Sequence, residues 1–228
     1  MKTIKPLLVI LTSLSLMSCN TKVEPKSWSF DFTQDDSGFE SVFADYHDDG
    51  HNFETFEMAY ERAVISGTTN PGLRLKGHNR SDDLFMGIVK ELSGFKASTT
   101  YTITLSFTLY TEAEAGSIGI GGSPADSVYV KAGFTNVLPE VSEDNGGLWV
   151  LNIDKGQQSQ GSPGIPVVGT MAKPEGSEAG FVSKGFEVTL TLKTDSAGKL
   201  WLVIGTDSGY EGLTVYYLDD IAITANAK

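Results

Sequence analysis

The chain has 228 residues, 29 acidic against 17 basic side chains, a net charge of −12 and a single cysteine. The acidic balance argues against nucleic acid and anionic lipid as partners, and one cysteine leaves no intrachain disulfide, so the fold must rest on its core. The length suits one all-β domain, with no internal repeat and no Pro/Ser-rich linker dividing residues 28–226.

The first element is a leader. Lys2 and Lys5 precede an apolar run, Leu7 to Met17, that is interrupted only by hydroxyl residues. That run is far shorter than the ~20 apolar residues a spanning helix needs. Basic start, apolar middle and small residue before a cut are the signature of a secretory signal. Leu16-Met17-Ser18-Cys19 resembles the lipobox of bacterial lipoproteins. That resemblance implies cleavage before Cys19, acylation of its sulfur and new amine, and residence in the bacterial cell envelope. Several acyl chains anchor firmly where one anchors marginally. Residues 1–18 are then a signal peptide and 19–27 a polar tether with one proline, Pro25. Asn20 after the cysteine favours the outer membrane. The domain is expected over residues 28–228.

Alternation of apolar and polar residues dominates that domain. Trp28 to Phe32 alternates. Phe85 to Glu91 reads as a strand or one helical turn. Tyr101 to Tyr110 is the clearest strand, with Val128 to Ala132 and Leu148 to Ile153 following. Phe186 to Leu192 alternates again. Leu200 to Ile204 is continuously apolar, as in a strand covered on both faces. Val215 to Leu218 and Ile221 to Ile223 form the closing strand. Asp195-Ser196-Ala197-Gly198 reads as a hairpin turn and Ser208 to Gly212 as a loop. Short strands with Gly-rich connections predict an all-β sandwich or barrel.

The two ends of this domain resemble a jelly roll of the galactose-binding or carbohydrate-binding-module type. Phe30-Asp31-Phe32, Asp35-Asp36-Ser37 and Gly38-Phe39 match the opening. Tyr217-Leu218-Asp219-Asp220-Ile221-Ala222-Ile223 matches the close. The middle is similar to a group of uncharacterised secreted bacterial proteins, through Leu75 to Phe85, Gly119 to Gly133 and Asn152 to Ser159. The resemblance implies a single jelly-roll β-sandwich. It also implies a structural calcium ion joining the first strand to the last, with Asp31, Asp35, Asp36 and Asp220 as carboxylate ligands. Calcium takes six to eight oxygens, so mixed carboxylates and carbonyls suit it. Solvated strand ends are the competing reading of the same acids.

Other candidates are weighed against plainer roles. His47 and His51 are four apart, but Asp48-Asp49-Gly50 between them reads as a turn, which spoils a zinc site. Asn79, Arg80 and Asp82 offer polar recognition of sugar hydroxyls, or alternatively an internally bonded loop. Gly119 to Pro124 lacks the Lys-Ser/Thr of a phosphate loop. Trp149 and Tyr210 are the platform candidates for stacking a sugar ring, since each has an apolar face and a polar edge; Trp201 reads as core. Gly-x-Ser-x-Gly is absent, and an acid pair drawn from 29 acidic residues discriminates nothing. The sequence therefore favours a non-catalytic, lipid-anchored module that binds carbohydrate. A structural lipoprotein binding another envelope protein and a cryptic glycoside hydrolase are the alternatives.

Overall fold

The computed structural model describes residues 23–47, 52–80 and 83–228. In chain order the early elements are β1 (Lys26–Phe30), β2 (Glu40–Ala44), β3 (Tyr46–His47), the one-turn α1 (Asn52–Thr55), β4 (Ala59–Val64), β5 (Pro71–His78), β6 (Leu84–Leu92) and β7 (Thr100–Thr111). Then come β8 (Val128–Thr135), β9 (Val141–Glu143), β10 (Leu148–Leu151), β11 (Val167–Thr170), β12 (Val182–Lys193), β13 (Leu200–Ser208) and β14 (Leu213–Ala227). The expected all-β jelly-roll sandwich is what these strands build.

One sheet runs β12-β7-β14-β5-β4, with β1 also on β14; the other runs β11-β8-β13-β6-β2. A small sheet, β3-β10-β9, stands apart. The first and last strands are neighbours, Trp28 opposite Ile223 and Phe30 opposite Ile221. β14 pairs β7 on one edge and is shared on the other by β5 and then β1. Its register slips between Asp219 and Ala222, where Asp220 takes φ 50°. This bulge keeps Leu218 and Ile221 both buried although they are three residues apart.

Period-two burial decides which side chains meet. Tyr101, Ile103, Leu105, Phe107 and Leu109 point inward from β7 against Leu200, Leu202 and Ile204 of β13 and Tyr216 and Leu218 of β14. Phe85 to Glu91 is strand throughout, within β6. The opening strand begins and ends two residues earlier than its alternation suggests. It stops at Phe30, because Asp31 Oδ1 accepts hydrogen bonds from Thr33 N and Oγ1 and turns the chain, leaving Phe32 at φ 54°. The Asp195–Gly198 hairpin forms as read: Asp195 Oδ1 accepts from Ala197 N at 2.9 Å and Lys199 N at 2.6 Å.

The second sheet carries an apolar cluster on its outer face. Val42, Ala44, Phe85, Val89 and Val203 pack there under Leu151, Ile153 and Ile165 from the connection between β8 and β11. Leu200 to Ile204 is indeed covered on both faces. Trp201, read as core, is only half-buried. The outer face of the first sheet has no such roof in its centre: Thr104, Ser106 and Thr108 of β7 are half-exposed, and Glu187, Thr189 and Thr191 of β12 are exposed.

Candidate functional site

The open face of the first sheet holds a shallow groove. Ser106 and Thr108 on β7, Gly185, Phe186 and Glu187 on β12, and Asp220 at the β14 bulge line an open depression of about 360 Å³. Antiparallel pairing sets its floor: Gly185 lies opposite Thr108 and Glu187 opposite Ser106. Beyond Thr108 along β7 the same face of the sheet is aromatic. Tyr110 lies opposite Tyr217 across the β7–β14 pair, and Phe181 packs edge-on against Tyr217 at 5.1 Å. Burial pushes the Tyr110 hydroxyl up from the ordinary tyrosine range, and the charges of Asp219 and Asp220 add to this, which puts both acids near that hydroxyl. Half-buried rings beside hydroxyls and carboxylates form an amphipathic surface able to stack an apolar ring face while bonding its edge.

Asp219 is the strained group of this region. It is 5% exposed, and its Oδ1 is buried without a hydrogen-bond partner. Burial raises its pKa to about 6, with the charges of Asp220 and Asp31 adding to the rise. The four acids expected to ligate calcium are placed differently. Asp31, Asp35 and Asp36 are exposed, and each uses Oδ1 to accept hydrogen bonds from its own loop: Thr33 for Asp31, Ser37 for Asp35, Gly38 for Asp36. Asp220 is exposed at the groove. No three His, Cys, Asp or Glu side chains converge on one point among the described residues. The residue across the strand junction from Asp31 with an unsatisfied, desolvated oxygen is Asp219. An orphaned buried carboxylate oxygen with a second carboxylate near it fits a hard cation better than the exposed loop acids do.

The expected ligand-binding residues mostly serve the fold. Asn79, 2% exposed, fastens its loop: its Nδ2 donates to Ser208 O at 2.8 Å and Tyr210 O at 3.0 Å, and its Oδ1 accepts from Leu84 N. Arg80 donates through Nε to Thr55 O at 2.7 Å and lies 3.9 Å from Glu57, tying down α1. Asp82 falls outside the described residues, as do Cys19 and His51. Trp149 is half-buried and stacks parallel to Tyr46 at 6.3 Å. Tyr210 is packed so closely on Gly119 and Gly212 that a Cβ on either would strike its ring. A turn follows the Gly119–Pro124 segment, where Ser123 Oγ accepts from Ala125 N and Asp126 N.

A second chemical centre lies beneath the roof of the other sheet. Asp207, wholly buried on β13, accepts through Oδ2 from Lys131 Nζ at 2.7 Å and Lys155 Nζ at 2.9 Å. Lys155 also pairs with Asp45 at 2.6 Å, and its Nζ sits 5.0 Å over the Phe85 ring. Gly205 leaves room for that ring, since a Cβ there would meet Phe85 at 2.8 Å. The Asp83 carboxyl lies against that of Asp207, and Gln157 Nε2 donates to Asp83 Oδ2 at 3.0 Å. Burial first, then the Asp207 bond and charge, raise the Asp83 carboxyl to about 7. Burial opposes ionisation of Asp207 too, but Lys155 and Lys131 outweigh it and hold Asp207 below its ordinary value. Two convergent carboxyls, one raised, are what a glycosidase needs. Here, however, the Asp207 side chain has no exposed surface and two lysines occupy its approach. The signal for this centre was a lysine inside the apolar run Val128 to Phe134 and an aspartate ending the run that starts at Leu200.

Solved structures similar to this chain are β-sandwich modules. A carbohydrate-binding module studied for specific mannan recognition has a TM-score of 0.46 and 11% identity, over 89% of this chain and 98% of its own. A xylan-binding domain from Paenibacillus barcinonensis has a TM-score of 0.40 and 13% identity, over 88% and 94%. A module specific for non-crystalline cellulose has a TM-score of 0.40 and 12% identity, over 84% and 91%. No protein-family model matches the sequence, and no curated protein matches it. At these identities the likeness carries no ligand and no site residue to this chain.

Asp219 predicts a pH effect. Its folded pKa lies above the unfolded value of 3.8, so its stabilising contribution is complete below that value and lost as pH rises through about 6. With chelator present, Asp219→Asn is expected to melt higher than wild type at pH 8. The gap should narrow as pH falls through about 6 and close only below 3.8, and equal melting points at pH 8 would count against the buried charge.

Proposed function

We propose that this protein is a non-catalytic carbohydrate-binding module held at the bacterial cell envelope by lipid on Cys19. The observation that supports binding is the groove on the unroofed face of the first sheet, with Ser106, Thr108, Glu187 and Asp220 along it and Tyr110 two residues beyond Thr108 on the same face of β7. A pyranose ring stacks its apolar face on an aromatic side chain, and its hydroxyls bond the flanking oxygens. The site stands on paired strands and so is preorganised at little entropic cost on binding. Its ligand-facing residues differ from the Trp149 and Tyr210 pair that the sequence singles out.

A second reading keeps a specific observation. Ile118 and Ile120 are 96% and 71% exposed on the loop whose Ile120 O accepts from Glu211 N, close to the exposed Leu213. Apolar tips gathered on one edge suit another envelope protein. The glycan reading takes precedence because its groove combines hydroxyls and carboxylates on paired strands, whereas Ile118 and Ile120 stand on a loop.

Calcium belongs to the same proposal, at Asp219 with Asp31. The ion would brace the β1–β14 junction and supply no chemistry to a reaction. Added calcium is expected to raise the melting midpoint of wild type above that in chelator at pH 8. Asp219→Asn should lose the shift. An unchanged wild-type midpoint rejects the site.

For the glycan, affinity electrophoresis through gels containing neutral plant, fungal and bacterial polysaccharides is the direct measurement. At least one should retard the wild-type chain, and Tyr110→Ala should weaken that binding by about tenfold, roughly 1.4 kcal/mol. Unretarded migration in every gel, with and without calcium, rejects the reading. For the anchor, growth with a labelled fatty acid should mark the wild-type chain and leave Cys19→Ala unlabelled; label on both would place acylation elsewhere.

A further inference from the structure

The Lys131–Asp207 contact has the components of an amide-forming site. The two residues lie on adjacent antiparallel strands, Lys131 opposite Gly205 and Asp207 opposite Tyr129, so their side chains meet diagonally on one face. Both side chains are wholly buried, with Nζ and Oδ2 2.7 Å apart. Asp83 lies against the same carboxyl, and the Oδ1 atoms of both acids are buried without a hydrogen-bond partner. A proton between the two carboxyls would satisfy both oxygens. Lys155 Nζ lies 2.9 Å from Asp207 Oδ2 on the far side. Phe85 and the roof residues Leu151, Ile153 and Ile165 keep the surroundings apolar.

We infer that Lys131 and Asp207 join spontaneously as an intramolecular isopeptide bond, with Asp83 as the proton-transfer group. The ion pair first collapses: Lys131 Nζ gives a proton to the Asp207 carboxylate, leaving an amine and a carboxylic acid. The Nζ lone pair attacks Cγ, and Lys155 stabilises the negative charge that develops on oxygen. Asp83 protonates the departing hydroxyl and recovers the proton shed by nitrogen. A C–N bond replaces a C–O bond, one water leaves, and nothing is oxidised or reduced.

Two features favour Lys131 over Lys155 as the nucleophile. Asp207 is the only carboxylate partner of Lys131 among the described residues, whereas Lys155 is divided between Asp207 and Asp45. Burial also lowers the Lys131 pKa, which eases loss of its proton, while the two carboxylates raise that of Lys155. Holding amine and acid in contact inside a dry site replaces a bimolecular condensation with a unimolecular one. The product is a neutral amide, which removes one ion pair from a site where burying charges is costly. It also closes a loop of 76 residues between two strands of a chain with no disulfide.

The test is peptide mapping by mass spectrometry of the denatured full chain. The expected result is a branched peptide joining Lys131 to Asp207, lighter than its two linear parts by one water. Asp207→Asn is expected to close with loss of ammonia instead of water. Asp83→Asn should fold, as judged by its circular dichroism, yet stay linear. Linear peptides carrying unmodified Lys131 and Asp207 from folded wild-type protein would overturn the proposal. A branch at Lys155, or full cross-linking in Asp83→Asn, would overturn the assigned roles.

Discussion

The second sheet must be covered on both faces, and the charges around Asp207 are what make its outer cover specific. An apolar roof alone slides, because dispersion and burial are not directional. Lys155 gives this roof a fixed position. From the connection between β8 and β11 it reaches Asp207 on β13 and Asp45 at the β2–β3 corner, while its backbone carbonyl accepts from Lys131 on β8. Removing Asp207 would leave the Lys131 charge buried without its carboxylate, a loss of roughly 3–5 kcal/mol for such a pair. The network balances because Asp83, with a carboxyl raised to about 7, can stay neutral beside two lysines and two carboxylates. The roof fixes which face of the sandwich remains open, and so where a ligand can approach.

On the open side the equivalent constraint is the β14 bulge. One strand serves β7 along one edge and both β5 and β1 along the other. A regular strand could not keep Leu218 and Ile221 inward together, because alternation would turn one of them out. The extra residue is Asp220, held in the left-handed region that non-glycine residues seldom occupy. It projects to solvent at the groove while Asp219 stays desolvated beside the aromatic end. The same irregularity therefore closes the sheet and brings two acids to the candidate site.

Much of the fold was legible because period-two patterning survives in β7, β12 and β14, where one face is core and the other solvent. The turns were legible for a local reason: Asp195 and Ser123 bond their own backbone within four residues. The sites were less so. Asn79 and Arg80 looked like recognition residues, but a polar loop residue reads the same whether it faces a ligand or, as here, carbonyls distant in sequence. Trp149 and Tyr210 looked exposed because they adjoin loops; Tyr46 and two glycines, supplied by other segments, take up their rings. Tyr110 and Phe181 are unremarkable in sequence, and only the pairing of β12 with β7 and β7 with β14 assembles them. Lys131 was visible as a charge within an apolar run, but its partners Asp83 and Asp207 lie far away along the chain.

The charge of the groove bears on which glycans the proposed reading admits. Glu187 and Asp220 line it and Asp219 lies near its aromatic end, with no cation among its lining residues. Carboxylates accept hydrogen bonds from sugar hydroxyls and are stronger acceptors than neutral oxygens. They also repel uronate and sulfate groups, and the excess of acidic residues across the chain adds to that field. A neutral polysaccharide meets no such penalty. Salt screens exposed charges over about 8 Å at physiological strength, so the discrimination acts within the groove itself, where a ring stacked by Tyr110 would bring its substituents within reach of the acids. Specificity then arises from exclusion by like charge as much as from attraction, with the aromatic end supplying an affinity that is indifferent to sugar identity.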